Sequence, residues 1–246
     1  MPARYRNPPV VEALCEIFFV GSVWDATIPG LFYDRIQRQF PKKTQVGQVG
    51  FELKLGPEEI GTRVVQGQPL SQFSRDDGSR MIQIARDLVV VNQLRPYPHF
   101  DDWKPSVIEM LSVYRELARP RWIERIGLRY INRVVIPHVR FEMETYFRVY
   151  PFIPTELATM HGPFLMRLEL PPQHAEHRLI LTFGNAPAEK PGTLALLLDL
   201  YDIATLGEGK EEDIEPALND AHGNVEHAFE NTITDAAREL FEEIKE

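Results

Sequence analysis

One cysteine, Cys15, occurs in 246 residues. A lone thiol excludes an intramolecular disulfide and any zinc cage built on cysteine. It lies in an apolar alternating run, which predicts a buried, inert side chain and not a nucleophile. Long hydrophobic runs are also missing. Beyond the first apolar stretch the longest is Leu194 to Leu198, far short of the ~20 residues that a bilayer-spanning helix needs. Arg4 and Arg6 ahead of an apolar segment imitate a secretion signal, but Glu12 and Glu16 interrupt it and no small-residue cleavage site follows. The expectation is a cytoplasmic protein with no membrane role.

The common chemical motifs are absent as well. There is no P-loop, no GxGxxG opening a helix and no GxSxG elbow. His174 and His177 form an HxxH, and His222, Glu226 and His227 cluster later, but neither group has the i, i+4 histidine spacing with an intervening glutamate that a metalloprotease pair requires. No cofactor and no metal are therefore expected, no catalytic residue is assigned, and the histidines are read as surface residues. Low-complexity tracts, Gly/Ser linkers and usable internal repeats are missing too.

An apolar fraction of 43% and a charged fraction of 26% are ordinary for a globular protein. The length suits one domain or two closely joined subdomains. A net charge of −9 disfavours nucleic acid as a partner for the molecule as a whole. Arg4, Arg6 and Tyr5 offer local basic and aromatic character near the start.

What the chain does have is a long alternating stretch, Arg121 to Pro137, read RWIERIGLRYINRVVIP. Trp122, Ile126, Leu128, Tyr130, Val134 and Ile136 share one face, and Arg125, Arg129 and Arg133 recur on the other. Period two with many β-branched and aromatic residues predicts a strand of about 50 Å at ~3.3 Å per residue. The earlier run VVEALCEIFFV alternates in the same way, with Glu12 and Glu16 on an otherwise apolar face at the spacing of Arg125 and Arg129. If the two strands are neighbours, Glu12 and Glu16 face Arg125 and Arg129, and Asp199, set among leucines, serves Arg133. This charge ladder is either a structural ion-pair network or an anion clamp, because guanidinium grips phosphate and carboxylate bidentately.

Between and after these strands, Thr27 to Phe40 predicts a helix with Leu31, Phe32, Ile36 and Phe40 on its stripe. FELKL, GTRVVQ, LSQFS, RMIQIA and DLVVVNQL predict a meander of short strands with turns at Asp76-Asp77-Gly78 and Arg86-Asp87. A second helix is expected from a cap at Asp101 or Asp102 to Ala118. FLMRLEL, HRLILTF and LALLLDLYDI add three strands. A final helix follows Pro216, with the Thr232 to Thr234 stretch as a place for it to bend or split.

Three patches, NPPVVEALCEIFFV, IERIGLRYINRVVIP and HAFENTITDAARELF, together resemble a family of bacterial and archaeal proteins that is distributed sporadically among genomes and functionally uncharacterised. The resemblance spans nearly the whole chain and implies a single full-length unit. It supplies no catalytic residues, and the patchy distribution suggests a link to mobile or defence loci.

The fold expected is α+β: a largely antiparallel, curved sheet of eight or more strands with three main helices packed on it, and two subdomains, 1–137 and 138–246, sharing the long central strand. The function expected first is a non-enzymatic binding or adaptor protein with a protein partner, a subunit of a larger assembly. The alternative is a sensor of a small anionic ligand, or an enzyme, with an arginine-lined site at Arg125, Arg129 and Arg133. A nucleic-acid module is the weakest reading, because Tyr130 falls on the face opposite the arginines.

Overall fold

A computed structural model describes residues 4–47, 49–55, 60–66, 69–138, 140–157, 162–171, 176–208 and 214–244. The long stretch is one strand, β8 (Trp122–Ile136), and the run near the start is another, β1 (Val10–Val20). They pair antiparallel, and β8 pairs on its other side with β11 (Leu194–Thr205). Beyond β1 come β7 (Leu88–Leu94), β6 (Arg80–Ala85), β5 (Leu70–Ser74) and β2 (Lys42–Val46); beyond β11 come β10 (His177–Ala186) and β9 (Leu165–Leu170). The result is an open nine-stranded sheet, with β3 (Val49–Leu55) and β4 (Ile60–Gln66) forming a separate two-stranded hairpin. Every pairing is antiparallel.

The architecture is α+β. Five helices occur among the described residues: α1 (Ile28–Ile36), α2 (Phe100–Ala118), α3 (Met143–Tyr146), α4 (Glu215–Thr232) and α5 (Asp235–Leu240). Alternation decides which sheet face they cover. Ala13, Cys15 and Ile17 of β1 stand in register with Tyr130, Leu128 and Ile126 of β8, and these in turn with Leu200, Asp202 and Ala204 of β11. All nine are buried, and all but Asp202 and Ala204 form one core with Trp103, Met110 and Tyr114 of α2 and Leu218 and Val225 of α4. The opposite face carries the arginines.

Several local details differ from the sequence-based expectation. Leu31 is exposed, because the buried stripe of α1 runs Ile28, Phe32 and Ile36, with Phe40 just beyond the helix. The N-cap of α2 is His99, whose side chain accepts from the Asp101 N–H. That helix stops at Arg119, which takes a left-handed conformation with φ of 42°. The last helix does split: α4 ends at Thr232, Ile233 is extended, and Thr234 caps α5 by accepting from the Ala237 N–H. Strand β2, KKTQV, has no apolar alternation, and every one of its residues is exposed.

Candidate functional site

On the helix-free face the register sets the partners of the arginine ladder. Arg125 stands opposite Phe18 and Arg129 opposite Leu14, so Glu12 and Glu16 lie diagonal to the arginines, opposite Ile131 and Gly127. The expected direct pairing of Glu12 and Glu16 with Arg125 and Arg129 is replaced by hydrogen bonds to neutral groups. Glu12 Oε1 accepts from Asn92 Nδ2 at 2.6 Å, and Glu16 Oε2 accepts from the Tyr201 hydroxyl at 2.7 Å. Tyr201 reaches across β8 to do this, over Gly127, where a Cβ would stand 2.5 Å from its hydroxyl oxygen.

Asp199 serves Arg129 and not Arg133. Arg129 Nε and Nη2 donate to Asp199 Oδ1 and Oδ2 at 2.8 and 2.5 Å, a bidentate grip on a buried carboxylate. That bonding holds the guanidinium above its ordinary pKa range. Arg133 is drawn the other way, to Glu189 Oε1 at 2.9 Å and the Pro187 carbonyl. Arg125 is exposed and lies over the Phe18 ring at 4.0 Å. The centre of the ladder is thus neutralised inside the fold.

A different set of polar groups converges on the helix-covered face. A cavity of about 480 Å³ lies between the chain start, the β8 centre, the N-terminal turn of α2 and one side of α4. The Tyr97 and Tyr130 hydroxyls meet at 2.9 Å in its wall, and the Tyr130 hydroxyl lies 3.3 Å from His222 Nδ1. His222 stacks on Phe100 with centroids 4.1 Å apart, which fixes the ring. Burial pushes the imidazole pKa down to about 4, so it is neutral at pH 7 and free to accept from Tyr130. Burial likewise pushes Tyr97 up to about 12 and Tyr130 well above the usual phenol range.

Carboxylates complete this lining. Asp101, Asp102, Glu226 and Glu230 all reach the cavity, together with the rings of Tyr5 and Phe229. Glu230 is held by Tyr5 at 2.7 Å and by Arg238 at 3.0 Å. Glu226 is half-buried, and no hydrogen bond or ion pair to it forms among the described residues. Burial first, and the Glu230 charge second, raise its carboxyl pKa. Arg4 and His99 also line it, so the site is aromatic and polar, with four carboxylates against one guanidinium.

Two further cavities flank it. One, of about 580 Å³, is lined by Arg6, Arg95 and Arg133 against Pro8, Val10 and Phe241. The other, of about 360 Å³, is apolar through Leu168, Leu170, Leu179 and Leu181, with a His177–Asp202 pair in its wall. His177 Nδ1 and Asp202 Oδ1 are 2.6 Å apart, and Asn224 donates to Asp202 Oδ2 at 3.1 Å. Burial raises the Asp202 carboxyl against the lowering effect of that ring. The reading of His177 and His222 as surface residues is corrected by these positions: His177 is buried on β10 beneath α4, and His222, on α4 itself, is partly buried against Phe100 and Tyr130. His174 lies outside the described residues.

No protein-family model matches the chain, and no curated protein does either. Tyr97, His99 and Asn132 of the acidic cavity carry no sequence motif. Their only signal is polarity or aromaticity at positions next to an apolar stripe.

Proposed function

We propose that the protein is a non-enzymatic binding protein that takes a small organic cation in the cavity between α2 and α4. The observation that carries this is Glu226, a half-buried carboxylate without a partner among the described residues, set beside four aromatic rings, Tyr5, Tyr97, Tyr130 and Phe229. A desolvated carboxylate favours a cation, and aromatic faces attract one through their quadrupoles. The Tyr97–Tyr130–His222 chain adds hydroxyl groups that fix orientation without adding charge. Binding is favoured over catalysis because no activated nucleophile is found among the described residues. The Cys15 thiol is fully buried with its pKa raised by burial, and no serine or cysteine lines the cavity beside the His177–Asp202 pair.

The anion reading has one specific observation behind it. Arg133, at the end of the ladder, shares the 580 Å³ cavity with Arg6 and Arg95, both exposed. One thermal-shift series separates the readings. Agmatine, choline and spermidine present guanidinium, quaternary and primary ammonium groups, while citrate and phosphate present the opposite charge. At a hundredfold excess over Kd a ligand adds about 2.7 kcal/mol, a rise of roughly 5–10 °C in Tm at this chain length. A rise with at least one cation and none with the anions is expected. A rise with the anions alone would move the site to the arginine cavity. The family resemblance contributes no residue to either reading, and a role within a larger assembly is compatible with both.

A further inference from the structure

The two edges of the nine-stranded sheet are built differently. Strand β2 opens with Lys42 and Lys43 and is polar to its last residue, the usual way of blunting an edge against further pairing. Strand β9, LMRLEL, has no lysine, proline or bulge, and it exposes Leu165 (77%) and Leu168 (37%). The segment just before it adds Phe152 (82%) and Leu157 (79%), so among the described residues four of the nine large apolar side chains that are exposed lie between residues 152 and 168.

Hydrogen-bond alternation shows which backbone groups of β9 point outward. The Asn185 N–H donates to the Phe164 carbonyl, which places Phe164, and by alternation Met166, Leu168 and Leu170, in the hydrogen-bonded pairs with β10. The N–H and C=O groups of Leu165, Arg167 and Glu169 therefore face away from β10. No other strand pairs with that side of β9 among the described residues.

We infer that β9 is a self-association edge, at which a second copy of this chain pairs antiparallel about a twofold axis through Leu168. Charge complementarity selects the partner and the register. With Leu168 opposite its own copy, Arg167 of each chain stands opposite Glu169 of the other, and both belong to the outward-facing, hydrogen-bonding set. The same register brings the two Leu168 side chains together in a non-hydrogen-bonded pair, where side chains approach most closely. Pro171 follows the strand and lacks an N–H, so the ladder ends there. Because the axis is perpendicular to the sheet, both helix layers stay on the same side of the joined sheet. A ladder of this length makes a reversible dimer.

The test is a charge swap read by light scattering after size exclusion across a dilution series. The wild type should approach twice the 28.4 kDa of one chain as concentration rises. Arg167→Glu or Glu169→Arg alone places like charges opposite each other twice per dimer and should raise the dimer dissociation constant at least tenfold. Arg167→Glu/Glu169→Arg restores the complementarity and the dimer. An equimolar mixture of the two single variants should also dimerise, which keeps the test valid if the double variant fails to fold. Within one chain Arg167 and Glu169 already pair at 2.9 Å, but both side chains are about half exposed, at 54% and 46%, and an exposed pair contributes little, so the single variants should keep the wild-type circular dichroism and nearly the wild-type Tm. A wild type that stays at 28.4 kDa throughout, or a dimer insensitive to these reversals, overturns the inference.

Discussion

Tyr201 lies across the central strand because residue 127 has no side chain. Its hydroxyl reaches Glu16 on the far side of β8, linking three strands through one ring. Gly127→Ala puts a methyl group within 2.6 Å of that ring, and the ring must leave Glu16. Overpacking of this kind costs about 1–3 kcal/mol. Urea melts of Gly127→Ala and Gly127→Ala/Tyr201→Ala should show the glycine substitution costing clearly less once the ring is gone. Equal costs in both backgrounds would mean that Gly127 serves something other than Tyr201. His222 makes a second prediction at this scale. Its folded-state pKa of about 4 lies below the ordinary 6.5, so the unfolded chain takes up a proton in that window while the native chain resists it. Stability therefore falls as pH drops from 6.5 toward 4, by at most about 3 kcal/mol from this group. In His222→Phe the slope of unfolding free energy against pH in that window should lose up to one proton.

Among the elements, α2 ends where its last turn meets a strained residue. Arg119 holds φ of 42°, a conformation that disfavours a side chain, at the position where helices commonly carry glycine. Arg119→Gly should stabilise the protein by ~0.5–1 kcal/mol, the left-handed penalty removed less the entropy that glycine adds to the unfolded chain. An unchanged or lowered Tm would show that the arginine side chain contributes more than its backbone costs. Most elements were readable in advance because their signal is local: β1 and β8 alternate over ten residues or more, β11 is apolar on both faces, and α2 carries a continuous apolar stripe. Strand β2 escaped notice because an exposed edge needs no apolar face. The four-residue α3 is too short to show a period.

For the molecule as a whole, the two halves of the chain meet in one sheet, with β8 between β1 from one half and β11 from the other. Fold class followed from the order and length of the alternating runs. Side-chain partners on the sheet did not, because pairing register is a tertiary property. Glu12 and Glu16 have the right spacing for Arg125 and Arg129, but the observed register sets them diagonal to those arginines, and Asp199 takes Arg129 instead. The acidic cavity was less legible still. Tyr97 and Tyr130 are 33 residues apart, and Tyr130 and His222 are 92 apart, so no local pattern joins them. What joins them is the packing of α2 and α4 on the β8 face, which buries the three groups together and leaves Glu226 beside them.

That placement makes Glu226 the residue on which cation binding depends. The most direct test is isothermal titration of the organic cation that stabilises the wild type best into wild type and Glu226→Gln. Saturable one-site binding to the wild type is expected, with at least a tenfold weaker Kd in the variant, which corresponds to about 1.4 kcal/mol. The absence of saturable binding to the wild type, or equal affinity in the two proteins, would contradict it.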